Sequence, residues 1–171
     1  DCDAVAFVAR CFIDDDITHV EDRIDPVSDL EIIETELMLA DLESLERRVT
    51  GVEKKAKGGD KDAQQTLRLI NLALVPLRAG KPARVVKVDK EDEKAWHMLQ
   101  LLTALPALYV SNVDEASADK GNELSDQVAK RAAEDNANSV VISSRIDSEL
   151  AVLDEAEQKE DRNQDEVGRF R

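Results

Sequence analysis

The sequence predicts an α/β fold in which a partial parallel sheet is interrupted by an inserted antiparallel α-helical coiled-coil hairpin. Three short apolar runs, beginning near Ala4, Ala107 and Ser139, have the length and composition of buried strands. Two long apolar stripes with helical spacing lie between the first and second runs, and a single helical stretch separates the second from the third. This order of elements is typical of a doubly wound sheet that carries an insertion.

The composition excludes several functional classes. The 171 residues include 38 acidic and 23 basic side chains, a formal net charge of −15, which argues against a surface-wide nucleic-acid or anionic-membrane platform. Cys2 and Cys11 have no second pair, so neither a disulfide framework nor a thiolate metal site is predicted. No apolar run approaches the roughly 20 residues of a membrane span. We therefore expect a helix-rich cytoplasmic protein without a membrane segment.

The first predicted strand, Ala4 to Ala9, begins almost at the first residue, and no initiator Met precedes it. We therefore expect the chain to be a fragment of a longer protein. An acidic loop follows, in which Asp14 to Asp16 and His19 suggest a metal site. Consecutive carboxylates in a loop point in different directions, however, so we expect solvated or capping side chains and no bound metal there.

The first long helix is predicted to begin at Asp25-Pro26, where aspartate can cap and proline loses no hydrogen bond. It is predicted to end at Gly58-Gly59, because glycine adopts the left-handed conformation that terminates helices. The glutamates at 31, 34, 36, 43 and 46 are expected on its solvent side. Its predicted coiled-coil seam is Leu30, Ile33, Leu37, Ala40, Leu42, Leu45, Val49, Val52 and Ala56.

The second long helix is predicted to start after Asp60 as the capping residue. Pro76 is expected to kink or end it near its last turn, and Gly80-Lys81-Pro82 to complete the break. Its apolar stripe is Ala63, Leu67, Ile70, Leu74 and Leu77, and the tight glycine turn makes the two helices an antiparallel hairpin. A third helix is predicted from Asp89 to about Leu102, with His97 on its surface or at the edge of the core.

Polar residues follow the second and third predicted strands, at the ends where ligands bind in α/β sheets. Ser111 to Glu115 follow the strand Ala107 to Val110, and Ser143 and Ser144 follow the strand Ser139 to Ile142, with a helix from about Ala118 to Glu134 between them. One polar strand end is commonplace. The pair at consecutive strands predicts a ligand site.

This pair resembles the base-recognition motifs of GTPase-like P-loop NTPases, Asn-Lys-x-Asp and Ser-Ala-x, with Val113 and Glu115 at the second and fourth positions of the first motif. Glutamate is one methylene longer than the aspartate that accepts from guanine, so an altered base preference is expected. Further strings extend the resemblance to the YchF family, the Obg-like ATPases of the TRAFAC class, over residues 1 to about 153. They are RCFIDDDITHV, DLEIIETELML, KKAKGGDK, GKPAR, LLTA and NVDE.

The resemblance implies a Ras-like nucleotide domain interrupted by a helical hairpin and followed by a TGS domain. It implies a preference for ATP over GTP, a need for Mg²⁺, stimulation by K⁺ and association with ribosomes. Carried onto this sequence, Asn112 would contact the adenine, the Val113 backbone would hold its amino edge, and Ser143 with Ser144 would close the pocket. Phe12 would line the base, and Glu115 matches the family's variant position.

The phosphate-binding motif Gly-x-x-x-x-Gly-Lys-Ser/Thr does not occur in the sequence, since Gly80-Lys81 is followed by Pro82 and lacks the first glycine. We therefore interpret the chain as a central fragment without the P-loop or the TGS domain. Residues 1–24 and 103–153 are assigned to the nucleotide domain, residues 25–102 to the hairpin, and residues 154–171 to a frayed polar tail. The fragment is expected to be catalytically silent and to bind nucleotide weakly.

Two other interpretations remain open. The predicted hairpin tip carries four lysines on an acidic chain, which suits contact with ribosomal RNA phosphates, although lysines are also favoured at a helix carboxyl end and can simply be solvated. The chain could therefore be a partner-docking helical module with no catalysis of its own, or a helical protein without activity. The lysines concerned are Lys54, Lys55, Lys57 and Lys61.

Overall fold

The computed structural model describes residues 2–12 and 24–144. Within these ranges the elements are β1 (Val5–Arg10), α1 (Pro26–Lys57), α2 (Lys61–Arg78), α3 (Glu93–His97), β2 (Ala107–Asn112), α4 (Glu123–Glu134) and β3 (Asn138–Ile142). Short 3₁₀ turns occupy Ala83–Val85, Leu102–Ala104 and Glu115–Ser117. Among the described residues, no helix has the length and apolar character that a membrane crossing requires. The loop with Asp14 to Asp16 and His19, and the tail 154–171, lie outside the described ranges.

The chain divides into two compact units. The helical unit contains Asp1–Phe7 and Val27–Leu108, and the sheet unit contains Val8–Pro26 and Tyr109–Arg171.

In the helical unit, α1 and α2 form the predicted antiparallel hairpin. Gly59 takes a positive φ of 88° at the turn, and the Asp60 side chain accepts from the Ala63 N–H at 3.0 Å as the cap of α2. Close to the turn the Gln64 side chain bonds the Ala56 carbonyl, and farther along Arg78 pairs with Glu46 at 2.9 Å. The partners run in opposite directions along the chain, which confirms the antiparallel arrangement.

The core of the helical unit consists of aliphatic side chains and the single tryptophan of the sequence, Trp96. Every predicted apolar position of α2 is buried except Leu67, which is half-buried. On α1, Leu45 is fully buried, and Leu42, Val49 and Val52 pack against the core. The core members are Leu45, Leu69, Ile70, Ala73, Leu74, Leu77, Ala83, Trp96, Leu99 and Leu101.

The predicted seam was wrong in the first half of α1. Ile33 is 40% exposed, whereas Glu34 and Asp41, which the pattern places outside the seam, are 6% and 4% exposed. The buried line follows Leu30, Glu34, Met38, Asp41 and Leu45 at helical spacings, and two of its members are carboxylates. Their burial is tolerated because each has a charged or hydrogen-bonding partner outside α1.

Asp41 holds the segment that leads into β2. Its Oδ1 accepts from the Leu102 N–H at 2.9 Å, and its Oδ2 accepts from the Thr103 N–H at 2.8 Å and the Thr103 hydroxyl at 2.7 Å. The same Thr103 oxygen accepts from the Ala83 N–H at 3.1 Å, just after α2. Glu34 is paired in turn with Arg84, whose side chain is 15% exposed. The segment with Arg84 and the segment with Leu102 and Thr103 are therefore each held by a buried carboxylate of α1.

The third helix is shorter than predicted. It begins after Asp92, not Asp89, and ends at His97; three residues later Gln100 adopts a positive φ of 56°. The Asp92 carboxylate accepts from Arg68 at 2.6 Å and from Gln65 at 2.7 Å, so it joins α3 to α2 rather than capping its own helix. His97 is exposed, as expected.

The sheet has the order β1-β2-β3. The Val5 N–H donates to the Pro106 carbonyl and the Cys11 N–H donates to the Asn112 carbonyl, so partner numbers rise together and β1 and β2 are parallel. β2 extends two residues beyond the predicted strand and includes Ser111 and Asn112. The helix between β2 and β3 begins after Asn122 rather than at Ala118, because the preceding residues form a 3₁₀ turn.

Replacing Asp41 by asparagine should lower the free energy of unfolding by about 2–4 kcal/mol. The carboxamide nitrogen would face an N–H or O–H donor, so at least one buried donor would lose its acceptor. Urea unfolding followed by circular dichroism measures the change. Glu36→Gln, which removes the same charge from an exposed position of α1, is the control. Equal midpoints for the two variants would contradict the assigned role.

Stability should depend on pH through Asp92. Hydrogen bonds from Arg68 and then Gln65 lower the pKa of this carboxyl below its ordinary value of 3.8. Because the folded-state pKa is the lower one, its contribution is complete above pH 3.8 and is lost as the pH falls through the folded value. The difference in unfolding free energy between wild type and Asp92→Asn should shrink over that window. The neighbouring Glu91→Gln, at an exposed position, should show no such trend.

Candidate functional site

The candidate site lies where the three parallel strands of the sheet end. β1 ends at Arg10, β2 at Asn112 and β3 at Ile142, so the residues that follow them emerge at one edge of the sheet. This placement brings together Phe12, Asn112, Val113 and the pair Ser143–Ser144.

A direct hydrogen bond joins the two polar strand ends. The Asn112 Oδ1 accepts from the Ser144 N–H at 2.9 Å, and the adjacent Val113 N–H donates to the Ile142 carbonyl at 2.9 Å. The first bond uses one lone pair of the Asn112 carboxamide oxygen, and the Nδ2 of the same group supplies two N–H donors.

Ser143 carries an unsatisfied hydroxyl. The residue is 5% exposed, and within the described part of the chain its Oγ is the buried side-chain atom that lacks a hydrogen-bond partner. Leaving a buried hydroxyl unpaired costs about 1–3 kcal/mol. Buried polar groups normally have a hydrogen-bond partner, so this hydroxyl is the exception among the buried side-chain atoms of the described residues.

Val113 and Glu115, which follow β2, differ in their burial. The Val113 side chain is buried at 2% exposure, and its N–H donates within the sheet. Asp114 accepts from the Ser117 N–H at 2.9 Å and caps the 3₁₀ turn that Glu115 begins. Glu115 is exposed on this turn.

Cys11 lies between the ends of β1 and β2. Its N–H donates to the Asn112 carbonyl at 2.8 Å, and the residue is fully buried. Burial raises the pKa of the Cys11 thiol, and a hydrogen bond with Ser111 opposes this only in part. The thiol is therefore protonated near neutral pH and is a packing group rather than a nucleophile. Phe12, the next residue, is half-buried.

Sequence reasoning missed Asn122. Its Nδ2 donates to the Cys11 carbonyl at 2.6 Å, while its Oδ1 accepts from the Leu124 and Ser125 N–H groups at 3.1 and 3.0 Å. The sequence signal was a Gly-Asn pair three residues before a serine, which is a capping pattern. The pattern was not recognised because the helix is predicted from about Ala118, five residues before its first residue, Glu123.

The lysines of the hairpin tip belong to the helical unit. Lys54, Lys55 and Lys57 lie in the last turn of α1, where cations are favoured, and Lys61 begins α2. All four are exposed, and Lys57 makes a loose surface pair with Glu53 at 3.9 Å. Their charge is thus available at the surface.

The strand ends place hydrogen-bond donors and acceptors at one edge of the sheet. Within residues 2–12 and 24–144, no cluster of three or more His, Cys, Asp or Glu side chains has the arrangement of a metal site.

Comparison with known proteins agrees with the resemblance found in the sequence. The chain is 42% identical over 160 residues to the ribosome-binding ATPase YchF of Bacillus subtilis and 41% identical over 158 residues to that of Haemophilus influenzae. Each alignment spans 92% of this chain and 43% of the relative. No family model matches. The chain thus spans less than half the length of the curated relatives that it matches.

The fold comparison points the same way. The structure of the Schizosaccharomyces pombe YchF GTPase superimposes with a TM-score of 0.78 and 26% sequence identity, covering 95% of this chain and 45% of that one. The predicted fold class is confirmed: the three parallel strands and their helices match a partial P-loop NTPase fold, and the hairpin of α1 and α2 lies between β1 and β2 in the sequence.

Proposed function

Because the chain belongs to the YchF family over the segment that it matches, we propose that it carries the base-recognition half of a site that binds and hydrolyses ATP in a ribosome-associated NTPase. The observation that carries this proposal is the hydrogen bond between Asn112 and Ser144, beside the unpaired hydroxyl of Ser143. A ribosome partner would also place the protein in the cytoplasm.

Each proposed contact follows from the donor or acceptor that remains for a ligand. The Asn112 Nδ2 would donate to a ring nitrogen of the purine, and the Val113 carbonyl would accept from the 6-amino group of adenine. Guanine has an acceptor at that position, so a carbonyl there favours adenine. The Ser143 hydroxyl, with Ser144, would close the pocket over the base, and Phe12 would pack against its face. Glu115 would lie at the rim, where guanine-specific relatives of the fold use the shorter aspartate.

The phosphate half of the site is proposed to depend on residues outside this sequence, since residues 1–171 contain no Gly-x-x-x-x-Gly-Lys-Ser/Thr motif. In P-loop NTPases that motif cradles the β- and γ-phosphates and its hydroxyl binds Mg²⁺. None of the described residues is proposed as a ligand of Mg²⁺ or K⁺. Since phosphate contacts supply much of the affinity, the chain alone should bind ATP weakly and should not hydrolyse it.

ATP should perturb the amide NMR signals of Asn112, Val113 and Ser144 in the ¹⁵N-labelled chain, and GTP should perturb them less. Asn112→Ala should reduce the initial slope of the ATP titration by roughly tenfold, the equivalent of about 1.4 kcal/mol for one lost hydrogen bond. Asn138→Ala, at an exposed position of β3, should leave the slope unchanged. An absence of ATP-induced shifts in the wild type, or measurable turnover by the chain alone, would contradict the proposal.

A second function is favoured by the hairpin tip. Four exposed lysines on a chain of net charge −15 form a local cationic surface, and the bacterial relatives are described as ribosome-binding. We propose that this tip contacts RNA phosphates, whose neutralisation releases counterions and makes binding sensitive to salt. The residues are Lys54, Lys55, Lys57 and Lys61.

Replacing the four tip lysines by glutamate should remove co-sedimentation with ribosomes, because each substitution turns attraction for phosphate into repulsion. The matched control replaces four exposed lysines elsewhere, at positions 81, 87, 90 and 130, and keeps the same net charge. The control should retain most of the binding, and binding by the wild type should weaken as salt rises. Equal losses in the two variants would show that net charge, not the tip, governs association.

A further inference from the structure

We propose that Asn122 is a positioning residue of the purine site, acting through Cys11 on the ends of β1 and β2. The inference rests on the nucleotide-binding function proposed above. Asn122 itself is not proposed to touch the nucleotide.

A continuous series of hydrogen bonds links the start of α4 to the end of β3. The Asn122 Nδ2 donates to the Cys11 carbonyl at 2.6 Å, and the Cys11 N–H donates to the Asn112 carbonyl at 2.8 Å. The Asn112 Oδ1 then accepts from the Ser144 N–H at 2.9 Å. All four residues belong to the sheet unit. Asn122 therefore acts through Cys11 on both residues that flank the proposed base: on Phe12, the next residue in the chain, and on Asn112, whose carbonyl accepts from the Cys11 N–H.

The chemistry at position 122 requires a carboxamide. The oxygen accepts two main-chain N–H groups and caps α4, while the nitrogen makes the bond to Cys11. Aspartate and serine are equally good capping residues. Ionised aspartate has no donor, and the serine hydroxyl lies one bond nearer the backbone than the carboxamide nitrogen, so it falls short of the Cys11 carbonyl that Nδ2 contacts at 2.6 Å. A pure capping role would be met by any of the three, so the bond to Cys11 is what distinguishes asparagine here.

The backbone before Asn122 is fixed independently of that bond. Gly121 has a φ of +73°, and a Cβ at this residue would lie 2.4 Å from the Ser125 Oγ. The Gly121 N–H donates to the Ser117 carbonyl at 2.7 Å. The Ser125 Oγ also accepts from the Asn122 N–H at 2.7 Å, which completes a capping box. The loop thus presents Asn122 to Cys11 from a defined position.

Two groups of variants separate positioning from capping. Asn122→Ser and Asn122→Asp keep the cap and remove the donor to Cys11. Ser125→Ala breaks the capping box and keeps that donor. The readouts are the initial slope of an ATP titration followed at the Asn112 and Ser144 amide signals, the hydrogen-exchange rate of the Cys11 amide, and the thermal midpoint.

We expect both Asn122 variants to lower the titration slope by about three- to tenfold and to speed exchange of the Cys11 amide, because a hydrogen bond of typical strength is lost. Ser125→Ala should lower the thermal midpoint and leave the slope within twofold of wild type, an effect of about 0.4 kcal/mol. Agreement between the serine and aspartate variants excludes an effect of the added charge.

An unchanged slope in Asn122→Ser and Asn122→Asp, with a wild type that responds to ATP, would overturn the positioning role alone. An equal loss in Ser125→Ala would overturn it as well, since capping of α4 would then account for the effect. A wild type with no response to ATP would instead reject the proposed function on which the inference rests.

Discussion

The helical unit depends on the burial of one carboxylate. Asp41 lies in the middle of α1 at 4% exposure, and removing a charged group from water is costly unless hydrogen bonds replace the lost solvation. Three donors from two consecutive residues, Leu102 and Thr103, supply that replacement. The Thr103 hydroxyl also accepts from the Ala83 N–H. Through Thr103, the Asp41 side chain therefore links the segment after α2 to the segment before β2. The hairpin is thus tied to both segments that follow it by polar contacts as well as by its aliphatic core.

The sequence predicted the elements whose signals are local. Asp60 as a cap, the Gly58-Gly59 turn and Pro26 at the start of α1 act within a few residues of themselves, and the structure has each of them in place. The seam of α1 was predicted only in its second half. Whether Glu34 and Asp41 are buried is decided by Arg84 and Thr103, which lie 50 and 62 residues away along the chain. A pattern that counts only apolar positions cannot detect partners at that distance.

In the candidate site too, features that follow from general rules could be predicted from the sequence, whereas a contact between distant residues could not. The proximity of Asn112 to Ser144 follows from a general rule, that parallel strands present their carboxyl ends at one edge, and the hydrogen bond between them agrees with it. The contribution of Asn122 could not be predicted in this way. Its cap is a local signal, but its bond to Cys11 spans 111 residues and depends on the paired register of β1 and β2. The roles proposed for Phe12 and Glu115 came from the resemblance to a family and not from any spacing rule.

Some hydrogen-bonding groups at the strand ends are engaged within the protein, and others are proposed to bind the ligand. The oxygen and the nitrogen of the Asn122 carboxamide both form hydrogen bonds within the protein. The N–H groups of Val113 and Cys11 donate to carbonyls of neighbouring strands. Under the proposed function, the groups that would face a ligand are the Asn112 nitrogen, the Val113 carbonyl and the unpaired Ser143 hydroxyl. A donor aimed at a purine ring nitrogen suits adenine and guanine alike, so under the proposed function Asn112 would supply affinity for purines in general. Selection between them would then fall to the Val113 carbonyl, an atom that no side-chain substitution removes. Changes at Glu115 or Ser143 should consequently shift the base preference less than any change that moves the main chain between Asn112 and Asp114.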